Sequence, residues 1–306
     1  MTRADDLLDA VRELQPERAA RAGEIDRANR LPPDRADAMA RAGVFGMVAP
    51  PTSGEAPVDV AVMLEVIEMC AIASGSAGWC AMIGSTSAVS GAYLPTTAAA
   101  EIFADPMTIV GGVFAPTGSA RPVDGGYRLS GHWSWGSGSQ HCQWLALGAV
   151  VQDADGGSVR TPMLYVPAED VEIVPNWDVM GLRGTGSHDL RVDDVFVPAD
   201  RSVLLTASPV CDEPTYRFPV FGLLALGIAS VSLGVARSAI DTFAELAGAK
   251  VPTGHRRRLA ERDTVTAAVA KVEADLRAAR ALVFASVADA TAEAAAGDIS
   301  IRQRTG

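Results

Sequence analysis

Histidine and cysteine are scarce in this sequence, four of each in 306 residues, and their spacing removes several chemistries. Cys70, Cys80, Cys142 and Cys211 form no CxxC pair. They read as small buried hydrophobes in a reducing, cytoplasmic setting, with neither disulfides nor a zinc site expected. His132 and His141 have no carboxylate cluster in sequence around them, which argues against a metal site. No GxSxG elbow is present, so a hydrolytic serine is not expected. No GxGxxG follows a strand-like segment, so a Rossmann nucleotide site is not expected either. Positive charge is also short, with 26 Lys and Arg against 37 Asp and Glu and a net charge of −11. Phosphate binding needs a basic face, so a nucleic-acid partner is excluded. The compact basic run His255-Arg256-Arg257-Arg258 reads as a solvated loop. The first fourteen residues, MTRADDLLDAVREL, carry charge where a signal peptide needs an apolar core.

Long apolar runs are nearly absent too. One stretch, FPVFGLLALGIASVSLGVA, places 19 uncharged residues between Arg217 and Arg237, against about 20 apolar residues for a membrane span. Pro219, three Gly and two Ser lie inside it. A helix buried on all sides is the better reading, and no membrane partner is expected.

What is present falls into three blocks. Residues 1 to about 105 show helical spacing, as in Leu7, Leu8, Val11 and Leu14. LPPDRADAMARAGVFG has Pro and Asp at a helix start and Gly at its end. From about 108 to 203 come short β-branched runs such as TIVGGVFA, GYRLSG, WLALGAVV and LRVDDVFVP. Gly, Pro, Asp and Asn punctuate them, which predicts an antiparallel sandwich or barrel. From about 219 helix returns, and Val265, Val269, Val272, Leu276, Ala279, Val283 and Val287 form one apolar stripe. The fold class is therefore α+β: an N-terminal helical domain (1–107), a middle antiparallel β-barrel domain (108–205) and a C-terminal helical bundle (206–306). That order disfavours a doubly wound α/β fold, in which strands and helices alternate.

The densest unusual stretch is GHWSWGSGSQHCQW (131–144), which holds three of the five Trp and two of the four His. If 131–136 is extended, Trp133 and Trp135 share a face and Ser134 takes the other. Planar aromatics beside small residues and hydroxyls can seat a flat heteroaromatic ring. The same residues can equally fill a β core. Adjacent His141 and Cys142 would point to opposite faces of a strand, which disfavours a Cys–His pair. VFAPTGSA (113–120) reads as a strand running into a Gly/Pro turn. WDVMGLRGTGSHDLRVDDVFVPADR (177–201) sets Arg183 in a Gly-rich turn, where it can pin the loop or reach a substrate.

Taken together, FAPTG, SGHWSWGSGSQHCQW and WDVMGLRGTGSHDLRVDDVFVP after a helical region resemble the acyl-CoA dehydrogenase superfamily. Within it the chain is most similar to the flavin-dependent hydroxylases, the oxygenase components of two-component monooxygenases. The resemblance runs from about residue 15 onward. It implies a flavin, FMN or FAD, between the middle domain and the bundle. It also implies a small-molecule substrate, a partner flavin reductase and a homo-oligomer, tetramer or dimer. By motif match, Phe114, Ala115 and Thr117 would line the flavin. Trp135 would pack on the isoalloxazine, and Ser137 would hydrogen-bond near its N5 and O4. Trp79, Ser87, His141 and Arg183 would lie on the substrate side.

The sequence also departs from the family. A dehydrogenase of this superfamily needs a Glu base, and FPVFGLLALG, one place where it is found, contains no carboxylate. The second place lies toward the family's C-terminus, past SIRQRTG. Hydroxylases frequently carry a His near the position of Ser87, yet no His precedes His132. The Gln that holds the adenosine half of FAD in dehydrogenases corresponds here to Thr266. No catalytic acid or base is assigned. The bundle is expected to be incomplete, leaving the 265–287 stripe uncovered unless another subunit covers it. A flavin-dependent hydroxylase is therefore expected first. An FAD-dependent acyl-CoA dehydrogenase and a non-catalytic subunit are the alternatives.

Overall fold

The computed structural model describes residues 2–52, 54–152, 159–297 and 299. Six helices come first: α1 (Arg3–Ala20), α2 (Ala22–Ala28), α3 (Pro33–Arg41), α4 (Val60–Ala73), α5 (Gly75–Val89) and α6 (Thr96–Ile102). Eight strands follow: β1 (Val110–Val123), β2 (Gly126–Gly136), β3 (Trp144–Gln152), β4 (Val159–Arg160), β5 (Met163–Pro167), β6 (Glu172–Val174), β7 (His188–Pro198) and β8 (Ser202–Val203). Two long helices close the order, α7 (Val220–Ala249) and α8 (Asp263–Ala296).

The strands form one sheet in the order β6-β7-β2-β1-β3-β5-β8, with β4 paired to β3. One feature corrects the sequence reading, because the sheet is not antiparallel throughout. β1 and β3 run parallel, with Val110 opposite Trp144 and Val113 opposite Leu147. β2 returns from β1 through the two-residue turn Asp124–Gly125, with Gly125 at φ 75°. The short strands alternate as a sheet with two packed faces should. Leu145, Leu147, Leu164 and Val166 turn into the sheet's own core with Trp133, Leu190 and Val192. Ala146, Met163 and Tyr165 turn the other way, onto Ala88, Ala98, Ile102 and Phe103 of the helical region.

Helix α4 is the hub of the helical core. Met63, Leu64, Val66, Ile67 and Cys70 are fully buried, and side chains of this size stabilise by about 1.5–3 kcal/mol each when removed from water. The apolar 218–236 stretch forms the first half of α7, which packs on α4 and α5. Its glycines explain how. A Cβ on Gly234 would come within 2.5 Å of the Glu68 carbonyl oxygen, and one on Gly227 within 2.6 Å of Met82 Cγ. The small face of α7 therefore docks at close range on the two earlier helices. The opposite face stays open, with Phe221, Ile228, Val235, Phe243 and Leu246 exposed. This corrects the expectation of a helix buried on all sides. Among the described residues, α7 is the helix long and apolar enough to cross a membrane, and its glycine face serves helix packing.

Helix α8 is held at its middle and far end. Arg280 Nε donates to both carboxylate oxygens of Glu68 at 2.9 Å, and its guanidinium carbon lies 4.3 Å from the Phe284 ring centroid. Val287, Ala290 and Ala294 are buried in the helical core. Earlier in the helix, Val269, Val272 and Leu276 of the stripe line an open groove with Ile240 and Phe243 of α7; Val272 and, off the stripe, Leu282 are exposed. Replacing Arg280 with Met strands the buried Glu68 carboxylate. We expect a loss of about 2 kcal/mol in urea denaturation, less than the roughly 3–5 kcal/mol of a fully buried broken pair because Arg280 is 44% exposed. Glu68→Leu added to Arg280→Met should recover most of the loss. Unchanged stability in the single variant would show that the pair does not anchor α8.

Candidate functional site

Two bulges lie side by side where the sheet meets α5. In β1 the register with β3 jumps from Val113↔Leu147 to Gly118↔Ala149, so residues 114–117 arch over the single residue Gly148. A Cβ on Gly148 would lie 2.5 Å from the Phe114 carbonyl oxygen and 2.7 Å from that of Ala115. Only glycine lets the arch sit so low. Ala115, Pro116 and Thr117 are exposed on its crest, and the Thr117 hydroxyl donates to the His132 carbonyl at 2.9 Å, tying the arch to β2. In β2 the register with β7 jumps from Trp133↔Leu190 to Gly136↔His188. Trp135 takes φ 66° inside this second bulge.

The bulge separates the two tryptophans that an extended strand would place on one face. Trp133 is fully buried, and its indole N–H donates to the Gly148 carbonyl at 2.7 Å. Its ring fills a slot floored by Gly118 and Gly131, where an added Cβ would stand 2.2 Å and 2.6 Å from ring atoms. Trp135 is 73% exposed. A bulky residue held at positive φ and turned to solvent is strained, and bulges that re-aim a side chain cluster at functional sites.

Helix α5 forms the facing wall. From Gly75 to Val89 every residue is buried except Gly75, Trp79 and Ile83, which recur at i, i+4 and i+8 on one face. Two turns past Trp79 on this side, Ser87 is buried and its hydroxyl has no partner within the protein. Phe114 and Phe221 meet edge to face, with centroids 6.1 Å apart, joining the β1 arch to the start of α7.

A row of hydroxyls connects the two walls. Trp79 Nε1 donates to Ser137 Oγ at 3.0 Å. Ser137 Oγ lies 2.7 Å from Ser187 Oγ, and Ser187 Oγ lies 2.6 Å from Thr185 Oγ1. Thr185 Oγ1 donates to the Leu182 carbonyl at 2.9 Å. Ser137, Ser187 and Thr185 are all buried. Thr185 and Ser187 were not singled out from the sequence. Their signal was the GTGS quartet, two hydroxyls spaced around Gly186, which sits at φ 51°. Arg183 in the same turn binds Asp178 and the Val179 carbonyl, so its guanidinium pins the loop.

His141 turns toward the helical core. Its ring centroid is 5.6 Å from that of Phe45, and an added Cβ on Gly138 would lie 3.0 Å from its Nε2. Burial, followed by the nearby Arg30 charge, lowers its pKa from 6.5 to about 4. Burial also pushes the Cys142 thiol up to about 12, and Cys80 is raised as well. Among the described residues no cluster of His, Cys, Asp or Glu could hold a metal ion.

This arrangement fits a flat heteroaromatic ring. It offers an exposed aromatic, a low crest of small residues, neutral hydrogen-bonding groups and an unpartnered buried hydroxyl. Comparison with known proteins gives the family. Residues 2–101 match the acyl-CoA dehydrogenase N-terminal domain and residues 226–305 the acyl-CoA dehydrogenase C-terminal domain. Indole-3-acetate monooxygenase from Pseudomonas putida is 36% identical over 294 residues, 95% of this chain and 74% of that protein. The oxygenase component of the FADH(2)-dependent resorcinol hydroxylase from Rhizobium sp. (strain MTP-10005) is 30% identical over 285 residues, 89% of this chain and 70% of that one. The crystal structure of 3-HSA hydroxylase from Rhodococcus sp. RHA1 superposes with a TM-score of 0.91 at 29% identity, covering 98% of this chain and 80% of that chain. The chain belongs to the flavin-dependent monooxygenase branch of the acyl-CoA dehydrogenase superfamily.

In this monooxygenase the buried imidazole links stability to pH. Above pH 6.5 His141 is neutral whether folded or unfolded. Between 6.5 and about 4 the unfolded chain takes up a proton that the folded chain refuses. Stability therefore falls on acidification, with a slope from this group approaching about 1.4 kcal/mol per pH unit, and the effect levels off below about 4. His188, also lowered by burial, acts in the same direction. Denaturation of His141→Gln between pH 7 and 4 should show a visibly shallower decline. An unchanged slope would mean that His141 is not the group responsible.

Proposed function

We propose that this protein is the oxygenase of a two-component system. It takes reduced flavin from a separate reductase and uses O2 to hydroxylate a small organic substrate. Reduced flavin, when bound, supplies the electrons that activate oxygen. The protein's share is to hold the ring, orient the substrate and keep water out. One observation carries the reading: Trp79 and Ser137 meet in a hydrogen bond beside two strand bulges that expose Trp135 and the crest 115–117.

In this reading Phe114, Ala115 and Thr117 line one side of the flavin ring. Trp135 packs on the ring, and Ser137 meets its N5 edge. Trp79, Ile83 and Ser87 form the wall that the substrate faces, with the unpartnered Ser87 hydroxyl available to a polar group on it. FMN and FAD share this ring, so the site serves either. The substrate class is aromatic, in keeping with the indole-3-acetate and resorcinol in the names of two relatives. Acyl-CoA dehydrogenation is disfavoured, since α7 carries no carboxylate before Asp241. In this reading the protein works in the cytoplasm, where thiols are kept reduced and cysteines without a CxxC pair are expected as small hydrophobes. Self-association would cover the apolar residues Phe243, Leu246, Val272 and Leu282 exposed on α7 and α8.

The test supplies reduced FMN or FAD from a reductase and NADH, then follows O2 uptake and hydroxylated product across small aromatic acids and phenols. Product formation is expected in the native protein. Ser137→Ala and Trp79→Phe should lower it about tenfold or more, the scale of losing one hydrogen bond to a reacting cofactor. Bleaching of bound oxidised FAD by an acyl-CoA under anaerobic conditions, with no oxygen-dependent product, would overturn the reading.

A further inference from the structure

The row of hydroxyls behind the site has a fixed sense. Trp79 Nε1 can only donate and the Leu182 carbonyl can only accept. Between them Ser137, Ser187 and Thr185 stand 3.0, 2.7, 2.6 and 2.9 Å apart along the row. Every contact is satisfied when each hydroxyl gives its proton to the next, away from Trp79. Reversing the sense leaves Thr185 Oγ1 and the Leu182 oxygen facing each other at 2.9 Å with no proton between them. All three side chains are at most 5% exposed, and lone pairs opposed in so dry a place are costly.

The Ser137 hydroxyl thus has two of its three hydrogen-bonding positions taken. It accepts from Trp79 and donates to Ser187, which leaves one lone pair. A reduced flavin carries a proton on N5, whereas an oxidised flavin carries a lone pair there. We propose that Thr185 and Ser187 make the site selective for reduced flavin by committing the Ser137 proton inward, so that Ser137 can accept from N5–H but cannot donate to a bare N5. The inference rests on the placement of Ser137 at the N5 edge. Thr185 and Ser187 are positioning residues, acting through Ser137.

The test measures dissociation constants for FMN and FAD, each oxidised and dithionite-reduced, by anaerobic titration, together with the midpoint potential of the bound flavin. The native protein should bind the reduced form more tightly. Ser187→Ala frees the Ser137 proton to turn toward the cofactor, so the ratio of oxidised to reduced dissociation constants should fall about fivefold to tenfold, the worth of one neutral hydrogen bond. Thr185→Val should act in the same direction. Thr185→Ser keeps the hydroxyl and should keep the native ratio. Thermal melts of each variant establish that it is folded. If Ser187→Ala and Thr185→Val both retain the native ratio while Ser137→Ala weakens binding, the polarity argument is overturned and the site stands. If Ser137→Ala leaves both dissociation constants unchanged, Ser137 does not touch the ring and the placement itself fails.

Discussion

The hydrogen bond from the Trp79 indole to the Ser137 hydroxyl is the constraint on which the site depends. It joins a residue of α5 to one just past the β2 bulge, so both parts must be in register before it forms. The hydroxyl row then extends the dependence to the 182–187 turn. That turn is fixed independently, by Leu182 and Gly186 at positive φ, by Arg183 on Asp178, and by Gly184 lying so close to Ile25 that a Cβ would come within 2.0 Å. A buried polar row of this kind is stable only when every member is satisfied. The helical region, the sheet and the turn therefore specify one another's positions more tightly than apolar packing alone would.

The Gly/Ser/Trp composition of 131–144 serves two purposes. Gly131, with Gly118 from β1, clears a slot for Trp133, a core residue that ties β2 to β3 through Gly148. Two residues later the strand bulges and Trp135 turns outward. Composition alone did not separate these roles. Alternation by two residues placed both indoles on one face, and the bulge breaks that alternation. A bulge is a register statement between strands, and a single sequence holds only one partner of each pair. The same limit hid the parallel pairing of β1 with β3 and the arch at 114–117, which exists because Gly148 lies beneath it.

Much else was legible. The order of helices, sheet and helices follows from hydrophobic spacing, which needs no knowledge of partners. The glycines of the 218–236 stretch argued correctly for a packed helix. They did not reveal that packing takes one face only, because which face meets α4 and α5 depends on Glu68, Ala71 and Met82, all distant in sequence. The motifs brought Trp79 and Ser137 to notice. Ser187 and Thr185 escaped, since a Gly/Ser/Thr turn is common and its hydroxyls gain meaning only when another hydroxyl stands within 2.7 Å.

The chemistry of the walls points one way. The buried His141 imidazole is held neutral down to about pH 4, and the Cys142 thiol is held protonated up to about 12. The first carboxylate of α7 lies past five turns of helix. The Trp79 indole and the Ser187 hydroxyl that touch Ser137 are neutral and do not titrate across the pH range in which proteins operate. Such walls are poorly suited to removing a substrate proton by general base catalysis, which needs a group poised near the working pH. They are well suited to orienting dipoles around a cofactor that carries its own redox chemistry. Neutral donors and acceptors of fixed direction can tell one redox form of a ring from another without changing charge themselves. A bulged, aromatic wall backed by a row of neutral hydroxyls is consistent with a protein whose reactivity arrives with its cofactor and whose own contribution is the direction of a few hydrogen bonds.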